Sequence, residues 1–228
     1  ASYIVAVNGE TVVPLPTSQD YKRIFDNDEG PNTGGMGAVS PTTRLTEEDK
    51  SFILDKVIAP LVGAFKNRGV IYSGFLYAGI MKTKSGIKVL EFNARLGDPE
   101  TQVLMRRIES DLLPVLYMLS DDKLKKSDLK LDFTDKVAVG VVLASAGYPD
   151  SPKTGDSITG IDKAEELGSY VFHAGTKFVG NKIVTSGGRV ITVTSEGSNL
   201  KEARDKTYKA VSQIEFTGKQ LRSDIGLS

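Results

Sequence analysis

The chain has 228 residues, enough for one large or two small domains with a real core. Lys plus Arg and Asp plus Glu are 29 each, so no global field selects nucleic acid or a basic partner, and a charged ligand must be held by local groups. No Cys is present, which excludes disulfides, thiolate metal sites and thiol nucleophiles; the single His, His173, excludes a His–His metal pair. No apolar run approaches the ~18 residues of a membrane span and no signal peptide is visible, so the expectation is a soluble cytoplasmic protein without nucleic-acid or membrane partners.

The chain opens at full strand amplitude with ASYIVAV and no Met, so the expectation is either that its first residues were removed or that it was cut from something longer. Residues 2–7 and 10–14 are β-rich runs around Asn8-Gly9, a strong hairpin signal. Residues 26–42, DNDEGPNTGGMGAVSPT, hold Gly, Pro and polar filler and read as an ordered loop. Thr46 begins a T-E-E-D capping-box pattern, apolar residues from Phe52 to Phe65 recur at helical spacing, and Gly69 stops the helix. Residues 72–81 and 87–92 read as two strands, the second of them buried, joined by a turn at Ser85-Gly86. Pro99 opens one or two helices running to about Leu119. The charged stretch 120–136 breaks the apolar pattern and predicts a linker between a domain over 1–125 and a second over 135–228. In the second, residues 137–145, 170–178, 182–185 and 189–195 read as strands and 199–214 as an amphipathic helix. Strands followed by a helix make an α+β module, and the whole chain reads as α+β.

Three stretches could carry chemistry. In KVLEFNARLGDPETQ, Glu91 and Asn93 are two apart, which on a strand puts both side chains on one face, about 7 Å apart, with Phe92 on the other. A carboxylate and an amide oxygen so placed suit a hard cation such as Mg²⁺, and Arg95 would share the face if the strand held its spacing. The plainer reading is a half-exposed Glu paired with a Lys. In GPNTGGMGA, the glycines permit close backbone approach to an anion, with Lys22 and Arg23 upstream as phosphate ligands; a purely structural loop fits equally. In TSGGRV, Arg189 follows Gly187-Gly188 and is suited to reach an anionic ligand across a domain cleft, or is a surface Arg on a hairpin. His173, within an apolar strand, reads as a packed, hydrogen-bonded side chain rather than a catalyst.

Taken together, QDYKR (19–23), GPNTGGMGA (30–38), LYAGIM (76–81), EFNARLGDPETQ (91–102), VLASAGYP (142–149), FHAGT (172–176) and TSGGRV (185–190) resemble the phosphoribosylamine–glycine ligase family, ATP-grasp enzymes of purine biosynthesis. The resemblance covers essentially the whole chain, in order. It implies the C-terminal part of an ATP-grasp fold, an antiparallel sheet with helices, followed by a small α+β domain. It implies Glu91 and Asn93 as ligands of Mg²⁺ or Mn²⁺, with Asn93, Lys22 and Arg23 towards ATP. Arg95 would face the reacting carboxylate or its acyl phosphate, and Asp98 would be the second catalytic residue. Asn32, Thr33, Gly34, Gly35, Met36 and Gly37, with Asp98, Pro99, Glu100, Gly187, Gly188 and Arg189, would shape the pocket for glycine and 5-phosphoribosylamine. The implied partner is the missing N-terminal half of the same enzyme, without which the piece would be inactive. The alternative is a non-catalytic module that binds a nucleotide or sugar phosphate. One departure stands out: the strand SGFLYAGIM carries no acid where other ATP-grasp enzymes place a second metal ligand.

Overall fold

The structure, a computed structural model, describes residues 1–120 and 131–227. Most of the expected linker, 121–130, therefore lies outside the described residues. The chain forms two compact units whose segments interleave rather than follow the sequence order of 1–125 and 135–228. One comprises Ala1–Gln19, Pro41–Gly97 and Ile108–Thr134, the other Asp20–Ser40, Asp98–Arg107 and Asp135–Ser228. No helix of the described residues is long and apolar enough to cross a membrane.

The first unit is built on an antiparallel sheet of β1 (Ser2–Asn8), β2 (Thr11–Pro14), β7 (Ser73–Thr83) and β8 (Gly86–Asn93) in the order β2-β1-β7-β8. The Asn-Gly signal marks the hairpin one residue early: Asn8 pairs with Thr11, so Gly9-Glu10 makes the turn, and Gly9 adopts φ +56°. Helix α1 (Glu47–Ile53) starts with a complete capping box, in which Asp49 N–H donates to Thr46 Oγ1 and Thr46 N–H to Asp49 Oδ2. A π-helical turn, Leu54–Ile58, leads into α2 (Ala59–Asn67). Pro60 there cannot donate a backbone hydrogen bond, and the wider turn absorbs the gap. Ile53, Ile58 and Val62 pack on Tyr3, Val5, Val7, Leu76, Ala78 and Ile80 from one sheet face. Helix α4 (Leu113–Ser120) buries Val115 and Met118.

Strand β8 is not buried as its apolar sequence suggested. It is the sheet edge, and Leu90 is 61% exposed. A bulge accounts for this residue: Gly79 pairs with Glu91 and Ile80 with Val89, leaving Leu90 without a partner on β7.

The second unit holds β9 (Val137–Ala144), β13 (Arg189–Gly197), β10 (Tyr170–His173), β6 (Gly37–Ser40) and the short β3 (Gln19–Asp20) in one sheet, order β10-β13-β9-β6-β3. Helix α6 (Leu200–Val211) covers the face of Val139, Val141 and Leu143, packing Ala203 and Ala210 there. Helix α3 (Glu100–Arg107) lies on the other face, where Val103 meets Ala38 and Ala138 and Gly140 leaves it room. A short helix, α5 (Ile161–Glu166), and a hairpin of β11 (Thr176–Val179) and β12 (Lys182–Thr185) complete the unit, with the small ribbon of β4 (Arg23–Phe25) and β5 (Glu29–Asn32).

Three expectations fail here. The stretch read as a loop contains β5 and the wholly buried β6. Its glycine disguises a strand: a Cβ on Gly37 would stand 2.7 Å from Gly140 O, so a normal β residue does not fit. The run read as one strand over 170–178 breaks at Ala174-Gly175, after which β11 pairs with β12 instead of β13. His173 is exposed on β10, its Nδ1 3.0 Å from Thr176 Oγ1, rather than packed.

Candidate functional site

In the first unit, the register decides the faces. Glu91 pairs with Gly79 and Asn93 with Tyr77, on the sheet face opposite α1 and α2, while Phe92 pairs with Ala78 on the side of those two helices. Glu91 and Asn93 are in contact, with Asn93 Nδ2 donating to Glu91 Oε1 at 3.0 Å. Turning the amide over presents two oxygens side by side, a donor set that fits Mg²⁺ or Mn²⁺. No cluster of three or more His, Cys, Asp or Glu among the described residues is arranged to hold a metal. A cation here would therefore complete its shell from phosphate and water, as Mg²⁺ characteristically does. Arg95 does not continue the ladder. The strand ends at Asn93, and the Arg95 guanidinium turns back to donate to Leu96 O at 2.9 Å.

In the second unit, the other candidates converge around Arg189. Its Nη1 donates to Asp98 O at 2.8 Å and to Gly34 O at 3.1 Å, and lies 3.3 Å from Asp98 Oδ1. The guanidinium lies flat against Gly34, where a Cβ would stand 2.8 Å from Cζ. Gly34 N–H donates to the Tyr148 hydroxyl at 2.9 Å. Gly188 leaves room for the Tyr148 ring, which a Cβ would meet at 2.3 Å. Ser145 pins the Gly187-Gly188 turn, its hydroxyl donating to Gly187 O and its N–H to Gly188 O, each at 2.8 Å. Gly35, at φ +123°, sits against Pro99 and Asp20, with no room for a side chain. Thr33 Oγ1 ties the loop, accepting from Gly35 N–H and donating to Lys22 O.

Other candidates face inward. Met36 is fully buried with Ile24 and Ala144, and Gly37 lies inside β6. Lys22 is ion-paired with Asp20, and Arg23 donates to Gly30 O. Asn32 is exposed opposite Arg23. Glu100 is buried at the start of α3.

Asp20 dominates the electrostatics of this cluster. Burial, reinforced by the nearby Glu100 carboxylate, pushes its pKa up to about 7, against the pull of Lys22 and Arg189. Its Oδ1 is buried without a hydrogen-bond donor. Neither Asp20 nor Tyr148 stood out as a candidate in the sequence. The only signals were an acid two residues before Lys22 and a Tyr-Pro turn after an apolar strand, and both patterns are common.

The model of the phosphoribosylglycinamide synthetase ATP-grasp (A) domain matches residues 1–101, and that of the C domain of the same family matches residues 138–228. The phosphoribosylamine–glycine ligase of Caldanaerobacter subterraneus subsp. tengcongensis is 45% identical over 99% of this chain and 53% of its own length. A trifunctional purine biosynthetic protein of Gallus gallus is also 45% identical, over 99% of this chain and 22% of its own. The crystal structure of phosphoribosylamine–glycine ligase from Thermotoga maritima superposes with a TM-score of 0.85 at 36% identity, covering 98% of this chain and 55% of that one. The biotin carboxylase subunit of pyruvate carboxylase, at 16% identity and a TM-score of 0.63, shares the fold alone. This chain thus spans about half the length of the single-function relatives it matches.

Proposed function

The chain belongs to the phosphoribosylglycinamide synthetase family and has an ATP-grasp fold, and from that premise we propose that it serves the ATP-dependent ligation of glycine to 5-phosphoribosylamine. The glycine carboxylate attacks the γ-phosphorus of ATP, giving glycyl phosphate and ADP. The amine of phosphoribosylamine then attacks the acyl carbon, loses a proton and expels phosphate, leaving glycinamide ribonucleotide.

The observation that carries this reading is the pair Glu91 and Asn93, in contact on one face of the edge strand β8. They would hold Mg²⁺ or Mn²⁺, which neutralises phosphate charge as it develops in phosphoryl transfer. A module that only binds a ligand has no need of this donor pair. Arg95, free of the ladder, is the cation proposed to meet the reacting carboxylate. The Asn32–Gly35 loop with Asp98 is proposed to receive the small substrates, with Arg189 holding loop and Asp98 together rather than binding phosphate itself. Lys22 and Arg23, engaged with Asp20 and Gly30 O, are the weaker nucleotide candidates. The division into domains over 1–125 and 135–228 remains part of this proposal, beside compact units that interleave and family matches over 1–101 and 138–228, and the chemistry is proposed to draw on a further part of the enzyme. Alone, the chain should bind ATP weakly and turn nothing over.

The test is Glu91→Gln in the full-length enzyme. Folding should be unaffected and turnover should fall by about 10² to 10³. Wild-type turnover at saturating Mg²⁺ would remove Glu91 from the metal site and with it the main support for this reading.

A further inference from the structure

In the second unit, residues 222–226 form a strap between α6 and the β4–β5 ribbon. Two side chains of α6 seat it. The Tyr208 hydroxyl donates to Arg222 O at 2.7 Å and accepts from Ile225 N–H at 3.2 Å, while Arg204 donates to Ser223 O at 2.7 Å and to Ile225 O at 3.1 Å. On its other side the strap engages each residue of the turn Asp26–Asp28. Asp26 accepts from both the N–H and the hydroxyl of Ser223, Asn27 N–H donates to Asp224 Oδ2 at 2.9 Å, and Asp28 Oδ1 accepts from Arg222 Nη1 at 2.7 Å. Asn27 and Asp28 both lie in the left-handed region, at φ +58° and +55°, which residues other than Gly keep only where their surroundings over-determine it.

Arg222 is the centre of this network, its side chain only 1% exposed. A two-bond pair with Asp224, at 2.7 and 2.6 Å, neutralises the guanidinium and fixes it on its own segment. The remaining contacts go to the ribbon: Nη1 also donates to Arg23 O at 3.3 Å, and the guanidinium carbon lies 5.1 Å from the centre of the Tyr21 ring. The arm Tyr21–Arg23 in turn brackets the glycine loop. Lys22 O accepts from Thr33 N–H at 2.7 Å and Tyr21 O from Met36 N–H at 2.8 Å, with Gly34 and Gly35 between these two bonds. A two-stranded ribbon is marginal by itself, so its position has to be set from outside. We propose that Arg222 is a positioning residue for the ligation: through Asp28 and the Tyr21–Arg23 arm it sets the loop over 33–35 in the place from which the small substrates are held. This rests on the assignment of that loop to glycine and 5-phosphoribosylamine.

Asp28→Asn tests this mildly. The Asp28 side chain is 67% exposed, Asn tolerates the left-handed turn, and the Arg222–Asp224 pair stays intact, so only the charge that draws Arg222 to the ribbon is lost. In the 228-residue chain, hydrogen exchange at the Thr33 and Met36 amides should accelerate about fivefold, while amides of β13 keep their rates. In the full-length enzyme, Asp28→Asn should raise KM for glycine or 5-phosphoribosylamine about threefold, and Arg222→Lys, which keeps the charge but loses the planar fork, about tenfold. In both variants kcat and KM for ATP should change by less than about twofold. Thr46→Ala, a cap lost from the first unit, serves as the control for lowered stability and should leave all these constants unchanged. Unchanged exchange at Thr33 and Met36 refutes the clamp and leaves the assignment of the loop standing. Faster exchange with both small-substrate constants unaltered keeps the clamp but takes the loop out of the substrate site, which overturns the positioning role together with the assignment it rests on. A rise in the same constants for Thr46→Ala would trace the effect to lost stability and overturn the role of Arg222.

Discussion

Replacing Gly34 with Ala tests the lock around Arg189 in isolation. The φ of Gly34 lies outside the left-handed region, so the backbone itself tolerates Ala. The added methyl would stand 2.8 Å from Arg189 Cζ and 2.9 Å from Nη2, and the guanidinium must move. Moving it breaks the donation to Asp98 O and Gly34 O and the contact with Asp98 Oδ1. Hydrogen bonds from a charged donor are each worth about 1.5 to 3 kcal/mol. The Arg189 side chain is 22% exposed, so water recovers part of this, and a net loss of about 1 to 2 kcal/mol is expected. In an Arg189→Ala background the three atoms nearest the methyl are gone, and the same substitution should be close to neutral, or favourable by up to about 0.5 kcal/mol through the unfolded chain. The assay is a double-mutant cycle by urea unfolding, followed by far-ultraviolet circular dichroism, with an expected coupling of about 1 to 2 kcal/mol. Equal costs of Gly34→Ala in both backgrounds would refute the lock.

Asp20 binds a proton more tightly in the folded chain, with a pKa near 7, than in the unfolded chain at its ordinary value of 3.8, so its contribution to stability is full below about pH 4 and is lost as pH rises through 7. Asp20→Asn should therefore gain on the parent between pH 5 and pH 8 in urea midpoint, and a constant difference across that range would contradict the assignment. Tyr148→Phe removes the acceptor for Gly34 N–H but keeps the ring beside Gly188, so Gly34 amide exchange should accelerate while overall stability falls by no more than about 1 kcal/mol; unchanged exchange would show that the hydroxyl does not hold the loop. Thr46→Ala removes the N-cap of α1 and should cost about 1 kcal/mol in urea unfolding, with Thr46→Ser restoring most of it; no loss would mean that the cap contributes nothing to α1.

What the sequence determined by itself was local or periodic. The capping box of α1 lies within the four residues Thr46 to Asp49, and the hairpin tip was misplaced by only one. The shared face of Glu91 and Asn93 follows from the two-residue period of any strand, whatever lies around it. Burial is different, because it depends on what packs against an element: the same apolar pattern made β8 look interior, and its position at the sheet edge left it open. Strand β6 was hidden for the converse reason, since its Gly37 is dictated by Gly140, about a hundred positions away. The lock itself joins Arg189 to Gly34 across 155 residues and to Asp98 across 91, and the raised pKa of Asp20 depends on Glu100, which only the fold brings near. The residue types at these positions were written in the chain. Their partners were chosen by tertiary packing, because steric fit and charge proximity act through space and have no fixed spacing in sequence.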